Sequence, residues 1–304
     1  MTKKAFIDIG TNSVRMLIAD LHPDKEPEVV SRYGKVTKLG EGLSYSRTIH
    51  SKAIERSLIV ILGYLELCKS LDIAEVILFS TSVLRKAENA KDFIEHVKAL
   101  TGNDVKIISG NEEALLVLTG VRGEFPGYKP LVLDIGGGST EISFEDEDSR
   151  LSLKSLDIGA LTLSETYSLN ENLNQRKIAD ARVHVDKILE DQFPEPLENL
   201  ILVGTGGTIT SISAIIKKLT TFDPHKVHKS VLTKKEIESI FVELSTMDQE
   251  AIRSIPILEK GRHDTILGGT IILLSALYQS GFDKISVSTH SILWGMVMEY
   301  QKHF

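Results

Sequence analysis

Two apolar runs of the same design stand one domain-length apart in this chain. Phe6-Ile-Asp-Ile-Gly-Thr-Asn-Ser-Val-Arg-Met-Leu-Ile-Ala-Asp20 and Val132-Leu-Asp-Ile-Gly-Gly-Gly-Ser-Thr-Glu-Ile-Ser-Phe-Glu-Asp146 each run into Asp-Ile-Gly, pass small or hydroxyl residues, and continue as a second extended run. Their anchors, Asp8 and Asp134, are 126 residues apart. The spacing predicts strand, tight turn, strand, twice over. A third strand follows each copy, over Glu28–Val36 in the first half and, after an acidic turn from 145 to 148, over Leu151–Leu156 in the second. Beyond these meanders the apolar period switches to that of helices. Helices are predicted over 51–70, 84–100 and 111–120, alternating with strands over 75–79 and 105–108. The second half repeats the alternation, with helices over 174–193, 208–219, 234–244 and 263–279 and a strand over 200–203.

Strands that alternate with helices after a meander imply a mixed α/β sheet with helices on both faces. Duplication implies two such units, with a glycine-bearing turn at the end of each sheet and a ligand cleft between them. The Pro/Gly-containing segment Glu124–Lys129 is the expected boundary. The expected domains are therefore 1–124 and 125–290, with 291–304 packing back on the first.

A length of 304 residues with 42% hydrophobic and 25% charged side chains suits an ordinary globular chain of about two domains. The single cysteine, Cys68, excludes an intramolecular disulfide, fits a reducing compartment and reads as a small core residue. Asp8 interrupts the N-terminal apolar run before a signal-peptide core is complete, and no apolar stretch approaches the ~18 residues that span a bilayer. The expectation is a soluble cytoplasmic protein without a membrane partner. The net charge of −7, from 35 basic and 42 acidic residues, argues against a nucleic-acid partner, whose affinity comes from Lys and Arg. An anionic ligand would need a local positive site, for which Lys217–Lys235, facing only Asp223, is either a patch or a solvated surface.

The turns themselves carry the candidate chemistry. Gly136, Gly137 and Gly138 let backbone N–H groups approach an anion, and Ser139 and Thr140 add hydroxyls. Thr11, Asn12 and Ser13 follow Gly10 in the first copy with less backbone freedom. Asp8 and Asp134, at strand ends, can hold Mg²⁺, with Glu141 a further carboxylate. One such turn alone is equally the mark of a tight bend; two copies favour phosphate. A third glycine cluster, Gly204-Thr-Gly-Gly-Thr208, opens a helix whose N-terminal amides offer another anion site through Gly206, Gly207 and Thr208. Neither a Rossmann fingerprint nor a P-loop is present. Ser109 and Glu112 match a capping box, which spends Glu112 and turns Glu113 about 100° around the helix. Arg85, a turn into a helix after Thr81, can clamp phosphate oxygens. Arg262 and Asp264 either do the same or pair with one another, and His263 reads as structural.

On these motifs, together with Leu39-Gly-Glu-Gly-Leu43 and Thr81 through Asn89, nearly the whole chain resembles the exopolyphosphatase and guanosine pentaphosphate phosphohydrolase family of the actin, sugar-kinase and heat-shock-protein superfamily. The resemblance implies two duplicated ribonuclease H-like domains. It also implies hydrolysis of a terminal phosphoanhydride of inorganic polyphosphate or guanosine pentaphosphate, dependent on Mg²⁺ or Mn²⁺. Glu113 would orient or deprotonate the attacking water, Arg85 would bind the chain or the developing charge, and Asp8, Asp134 and Glu141 would serve the metal. A homodimer is compatible with it. The closing family motif appears altered as His290-Ser-Ile-Leu-Trp-Gly295, with Leu293 and Trp294 in place of Arg and Glu, and Val227-His-Lys229 replaces Val-His-Gly. A kinase of the same fold and a phosphate-chain sensor of weak activity are the competing expectations.

Overall fold

The computed structural model describes residues 2–146, 148–171, 173–195 and 199–302. Position 147 of the acidic turn and the last two residues of 291–304 thus lie outside the described residues. Contacts divide the chain into one unit of Met1–Gly120 with Ile292–Phe304 and a second of Val121–Ser291.

In the first unit the meander is β1 (Thr2–Ile9), β2 (Ser13–Leu21) and β3 (Glu28–Val36), followed by the short α1 (Leu43–Ser46) and the long α2 (Ser51–Ser70). Then come β4 (Glu75–Ser80), α3 (Ser82–Lys86), α4 (Ala90–Thr101), β5 (Val105–Ile107) and α5 (Gly110–Val121). The sheet order is β3-β2-β1-β4-β5, with β1 antiparallel to β2 and parallel to β4. Phe6 and Ile7 are both fully buried although they point to opposite faces of β1, so helices cover both sides of the strand. Cys68 is buried in α2, its sulfur 3.6 Å from that of Met16, and burial pushes its thiol pKa up, which suits a core residue.

The single helix expected over 84–100 is two. Asn89 breaks it: its side chain accepts from Ile49 N at 2.8 Å and donates to Ile49 O at 3.0 Å, pinning the chain between α3 and α4 to the loop before α2. A side chain spent on a distant backbone leaves no local signal beyond asparagine's poor helix propensity.

The second unit repeats the plan with β6 (Lys129–Ile135), β7 (Thr140–Glu145) and β8 (Leu151–Leu156), then α6 (Ala160–Thr166), α7 (Gln175–Leu189), β9 (Leu200–Thr205) and α8 (Gly206–Ile216). It closes with α9 (Pro224–Val227), β10 (Val231–Thr233), α10 (Lys234–Thr246), α11 (Gln249–Arg253), α12 (Ile266–Ser280) and β11 (Lys284–Val287). Its sheet order, β8-β7-β6-β9-β11-β10, matches the first sheet strand for strand from the meander onward and adds one edge strand. The two α/β sheets with a shared strand order are the duplication that the repeat predicts. Helix α12 is apolar all round because it is buried all round, from Ile266 to Leu277.

The last helix, α13 (Ile292–Gln301), lies on β1 and β2. Tyr300 meets Phe6 edge-to-face with ring centroids 5.3 Å apart, and a Cβ on Gly295 would come within 1.8 Å of Leu116 O, so only glycine admits this contact. No described helix is long and apolar enough to cross a membrane.

Candidate active site

The two Asp-Ile-Gly turns close in the same way. Gly10 N donates to Ser13 O and Gly136 N to Ser139 O, each at 3.0 Å. Seven residues after each aspartate, the register of the hairpin puts one residue directly opposite it: Arg15 opposite Asp8, and Glu141 opposite Asp134. Directly opposed side chains share a face of the sheet, so the same turn presents an ion pair in one unit and two carboxylates in the other.

In the first unit Asp8 is 1% exposed and accepts from Arg15 Nη2 at 2.8 Å through Oδ2. Its Oδ1 is buried without a hydrogen-bond donor among the described residues. Burial raises the Asp8 pKa above the usual carboxylate value, against the lowering pull of Arg15. A carboxyl whose pKa is raised by folding adds most stability when protonated and loses it as pH rises through its folded pKa. The stability of the wild type relative to Asp8→Asn is therefore expected to fall as pH rises out of the carboxylate range, on top of a pH-independent offset from loss of the Arg15 ion pair. Melting curves of both proteins across pH check this, and a difference in melting temperature that does not change with pH would contradict it. The Thr11 and Asn12 carbonyls hold the following segment, accepting from Gly40 N at 2.9 Å and from Thr37 N and Lys38 N at 3.0 and 2.9 Å. Gly40 packs so closely on Thr11 that a Cβ would stand 2.4 Å from its methyl group. This is what the Leu39–Leu43 motif does structurally: it backs the first turn.

Glu113 is 8% exposed in the first turn of α5. The capping box forms as expected, with Ser109 N donating to Glu112 Oε2 at 2.7 Å and Glu112 N to Ser109 Oγ at 3.2 Å; the Ser109 backbone N–H holds the Glu112 pKa down. Glu113 therefore turns inward, where Arg85 Nη1 donates to its Oε2 at 2.7 Å and to Ile108 O at 3.0 Å. Arg85, read from sequence as a phosphate clamp, is bound first to Glu113 and fixes its carboxylate.

In the second unit Asp134 and Glu141 are 6% and 1% exposed, and Ser155 donates to Glu141 Oε1 at 2.7 Å from β8. Gly206, at φ +89°, is in the left-handed region, and a Cβ there would stand 2.4 Å from Asp134 Oδ1. Two buried carboxylates side by side repel unless a cation or proton lies between them, and their oxygens are the donors that a hard divalent ion takes. These residues thus fit a Mg²⁺-type ion.

The glycine turn 136–138 is gripped from behind by the start of α6. Gly136 O accepts from Ala160 N at 2.9 Å, and Gly137 O from Leu161 N and Thr162 N at 2.9 and 3.2 Å. The Gly136 amide is spent closing the turn. Ser139 is 2% exposed. At the third cluster, a Cβ on Gly207 would stand 2.0 Å from Arg262 Nη1, so Arg262 lies directly over the N-terminus of α8. Thr208 lies with its hydroxyl against Gly269 of α12, where a Cβ would come within 2.4 Å of it.

Arg262 pairs with Glu259 at 3.7 Å and His263 with Asp264 at 3.3 Å, so Arg262 and Asp264 take separate acidic and basic neighbours. The lysine segment is less bare than its sequence: Lys234 pairs with Asp283 at 2.7 Å, far along the chain from it, and Lys226 with Asp223 at 3.9 Å. Sequence reading missed Arg15 and Ser155. Aligning the two repeats would have found the first, since Arg15 stands over Glu141.

Comparisons with known proteins match the chain along nearly its whole length. The family model described as Ppx/GppA phosphatase matches residues 17–303. The chain is 33% identical over 309 residues to a bifunctional 3-dehydroquinate synthase/phosphatase of Fusobacterium nucleatum, covering 97% of this chain and 46% of that one, so it spans about half of that protein. It is 31% identical to exopolyphosphatase 2 of Mycobacterium tuberculosis over 98% of both chains. The crystal structure of the Aquifex aeolicus member of the Ppx/GppA family superposes with a TM-score of 0.80 at 28% identity, covering 99% of this chain and 98% of that one. A chain with this duplicated fold, these acidic turns and this match along nearly its whole length belongs to the Ppx/GppA phosphatase family.

Proposed function

We propose that this protein is an exopolyphosphatase, releasing terminal orthophosphate from inorganic polyphosphate, with guanosine pentaphosphate as a second substrate of the same site. The reading deepens the family's chemistry, hydrolysis of a phosphoanhydride bond. One observation carries it: Asp134 and Glu141, buried and opposed across a hairpin whose turn is a run of three glycines. Such a pair offers a divalent cation its preferred oxygen donors, and such a turn lets a phosphate approach the backbone.

Phosphoryl transfer asks a protein mainly for positioning and charge stabilisation. Glu113 orients and deprotonates the attacking water, with Arg85 holding its carboxylate in one rotamer. The turns 11–13 and 136–139 and the α8 terminus at 206–208 position phosphate oxygens. Asp134 and Glu141 would hold a divalent ion, Mg²⁺ in the first instance and Mn²⁺ as a substitute, and Asp8 at the matching turn of the first unit is a further carboxylate of the metal-binding type. The ion neutralises phosphate charge when bound.

Chelation is expected to abolish phosphate release, and addition of Mg²⁺ to restore it. A colorimetric phosphate assay on both substrates, with and without the ion, measures this, and full activity in excess chelator would overturn the metal assignment. The sensor reading rests on Leu293 and Trp294. Leu293 is 7% exposed in α13, so the substitution fills a core position. Tight polyphosphate binding with no phosphate release would favour the sensor, and phosphate transfer from ATP to an added acceptor would favour a kinase. Gel filtration distinguishes the proposed homodimer from a monomer.

A further inference from the structure

Glu124, His228 and His290 come from three separate stretches of the second unit, and one ligand atom from each lies within 4.8 Å of the other two. None belongs to the phosphate turns or to the Asp134–Glu141 pair. The Glu124 side chain is 7% exposed; its Oε1 touches His290 Nδ1 and accepts from Ser288 Oγ at 3.0 Å. Its Oε2 is buried and accepts no hydrogen bond from the described residues, an arrangement that costs free energy unless another group completes it. The two imidazole rings lie 5.0 Å apart with planes inclined by 43°. His228 Nδ1 receives the Thr289 N–H at 3.2 Å, with the Thr289 hydroxyl at 3.3 Å.

From this cluster we infer a second metal site, for a late first-row ion of the Zn²⁺ class, held by Glu124, His228 and His290. Two imidazoles with one carboxylate suit Zn²⁺ and Co²⁺, whereas Mg²⁺ takes oxygen donors. The contact of Glu124 with His290 is already closer than two ligands of one ion stand. His228 closes by rotation from within 4.8 Å to the separation of about 3.4 Å set by zinc–ligand bonds of about 2.0–2.1 Å. His228 Nδ1 accepts the Thr289 N–H, so the neutral ring carries its proton on Nε2. Binding through Nε2 moves that proton to Nδ1 with no net release, and the ring turns so that Nδ1–H donates to the Thr289 hydroxyl instead of facing the Thr289 N–H. Three protein ligands leave a fourth position for water. The ion would also steady the third glycine cluster, because Thr205, the residue before Gly206, donates through Oγ1 to His290 O at 2.7 Å.

The test titrates metal-stripped, untagged protein with Zn²⁺ by calorimetry and with Co²⁺ by visible absorption. With excess Mg²⁺ present to occupy the carboxylate pair, one tight equivalent is expected, with the intense absorption of four-coordinate cobalt, displaced by zinc. His228→Ala and His290→Ala, each confirmed folded by circular dichroism, should weaken binding by more than the ~10–100-fold that loss of an outer partner costs. Ser288→Ala should fall within that range, and Glu141→Gln should retain this imidazole-bound equivalent, which separates this site from the proposed hydrolytic one. Zinc-edge X-ray absorption of the loaded wild-type protein needs no variant and should show two imidazoles with oxygen. No binding of either ion, unchanged affinity in both histidine variants, or an all-oxygen shell would overturn the inference.

Discussion

Glu113→Gln is expected to lower the rate of phosphate release by about 10²–10⁴-fold, the usual contribution of a positioned general base. Glutamine keeps the shape of the side chain and one oxygen to accept from Arg85, now 2.7 Å from Oε2, but it cannot take a proton from water. Substrate binding and folding should persist. Weakening one charge-assisted bond in a mostly buried pair costs at most about 3 kcal/mol. The neighbouring Glu112→Gln is the control. Glu112 is spent on the Ser109 cap, so its replacement touches helix stability alone. Steady-state phosphate release with melting temperatures of both variants measures the contrast, and a Glu113→Gln enzyme of unchanged turnover would remove Glu113 from the reaction.

Gly159→Ala is expected to destabilise the second unit by roughly 1–3 kcal/mol and to lower activity with it. A Cβ at 159 would stand 2.4 Å from both Gly137 C and Gly138 N, backbone atoms that cannot rotate aside. The start of α6 would have to lift, and the bonds from Ala160 and Leu161 to the glycine turn would lengthen from 2.9 Å. The same substitution at Gly63 reverses the sign: that glycine lies on the exposed face of α2 with nothing within 4 Å of a Cβ, so alanine should stabilise by about 0.5–1 kcal/mol. Paired melting curves separate the two. Equal shifts would show that the grip of α6 on the turn contributes nothing.

Much of the architecture was legible because it is local. The period-two runs of the two meanders and the helical period of 51–70 match β3, β8 and α2 to the residue. The Ser109–Glu112 cap is likewise a statement about four consecutive residues. Helix ends were less legible where distant backbone decides them, as Asn89 does by bonding Ile49 rather than its own helix. The lysine segment stayed undecided between patch and solvated surface for the same reason: its strongest partner, Asp283, is remote in sequence.

The candidate site divides along that line. Sequence alone determined which residues repeat: Asp8 with Asp134, Gly10 with Gly136, and a carboxylate at 113 freed by the cap beside it. Those facts follow from spacing, because strand, turn and helix are each specified within a few residues. Tertiary structure decided what each group meets: Arg15 on Asp8 but Glu141 beside Asp134, Arg85 on Glu113, and Glu124 gathered with two histidines. Such pairings depend on strand register and on packing between remote segments, where a buried charge takes whatever partner the fold brings within reach.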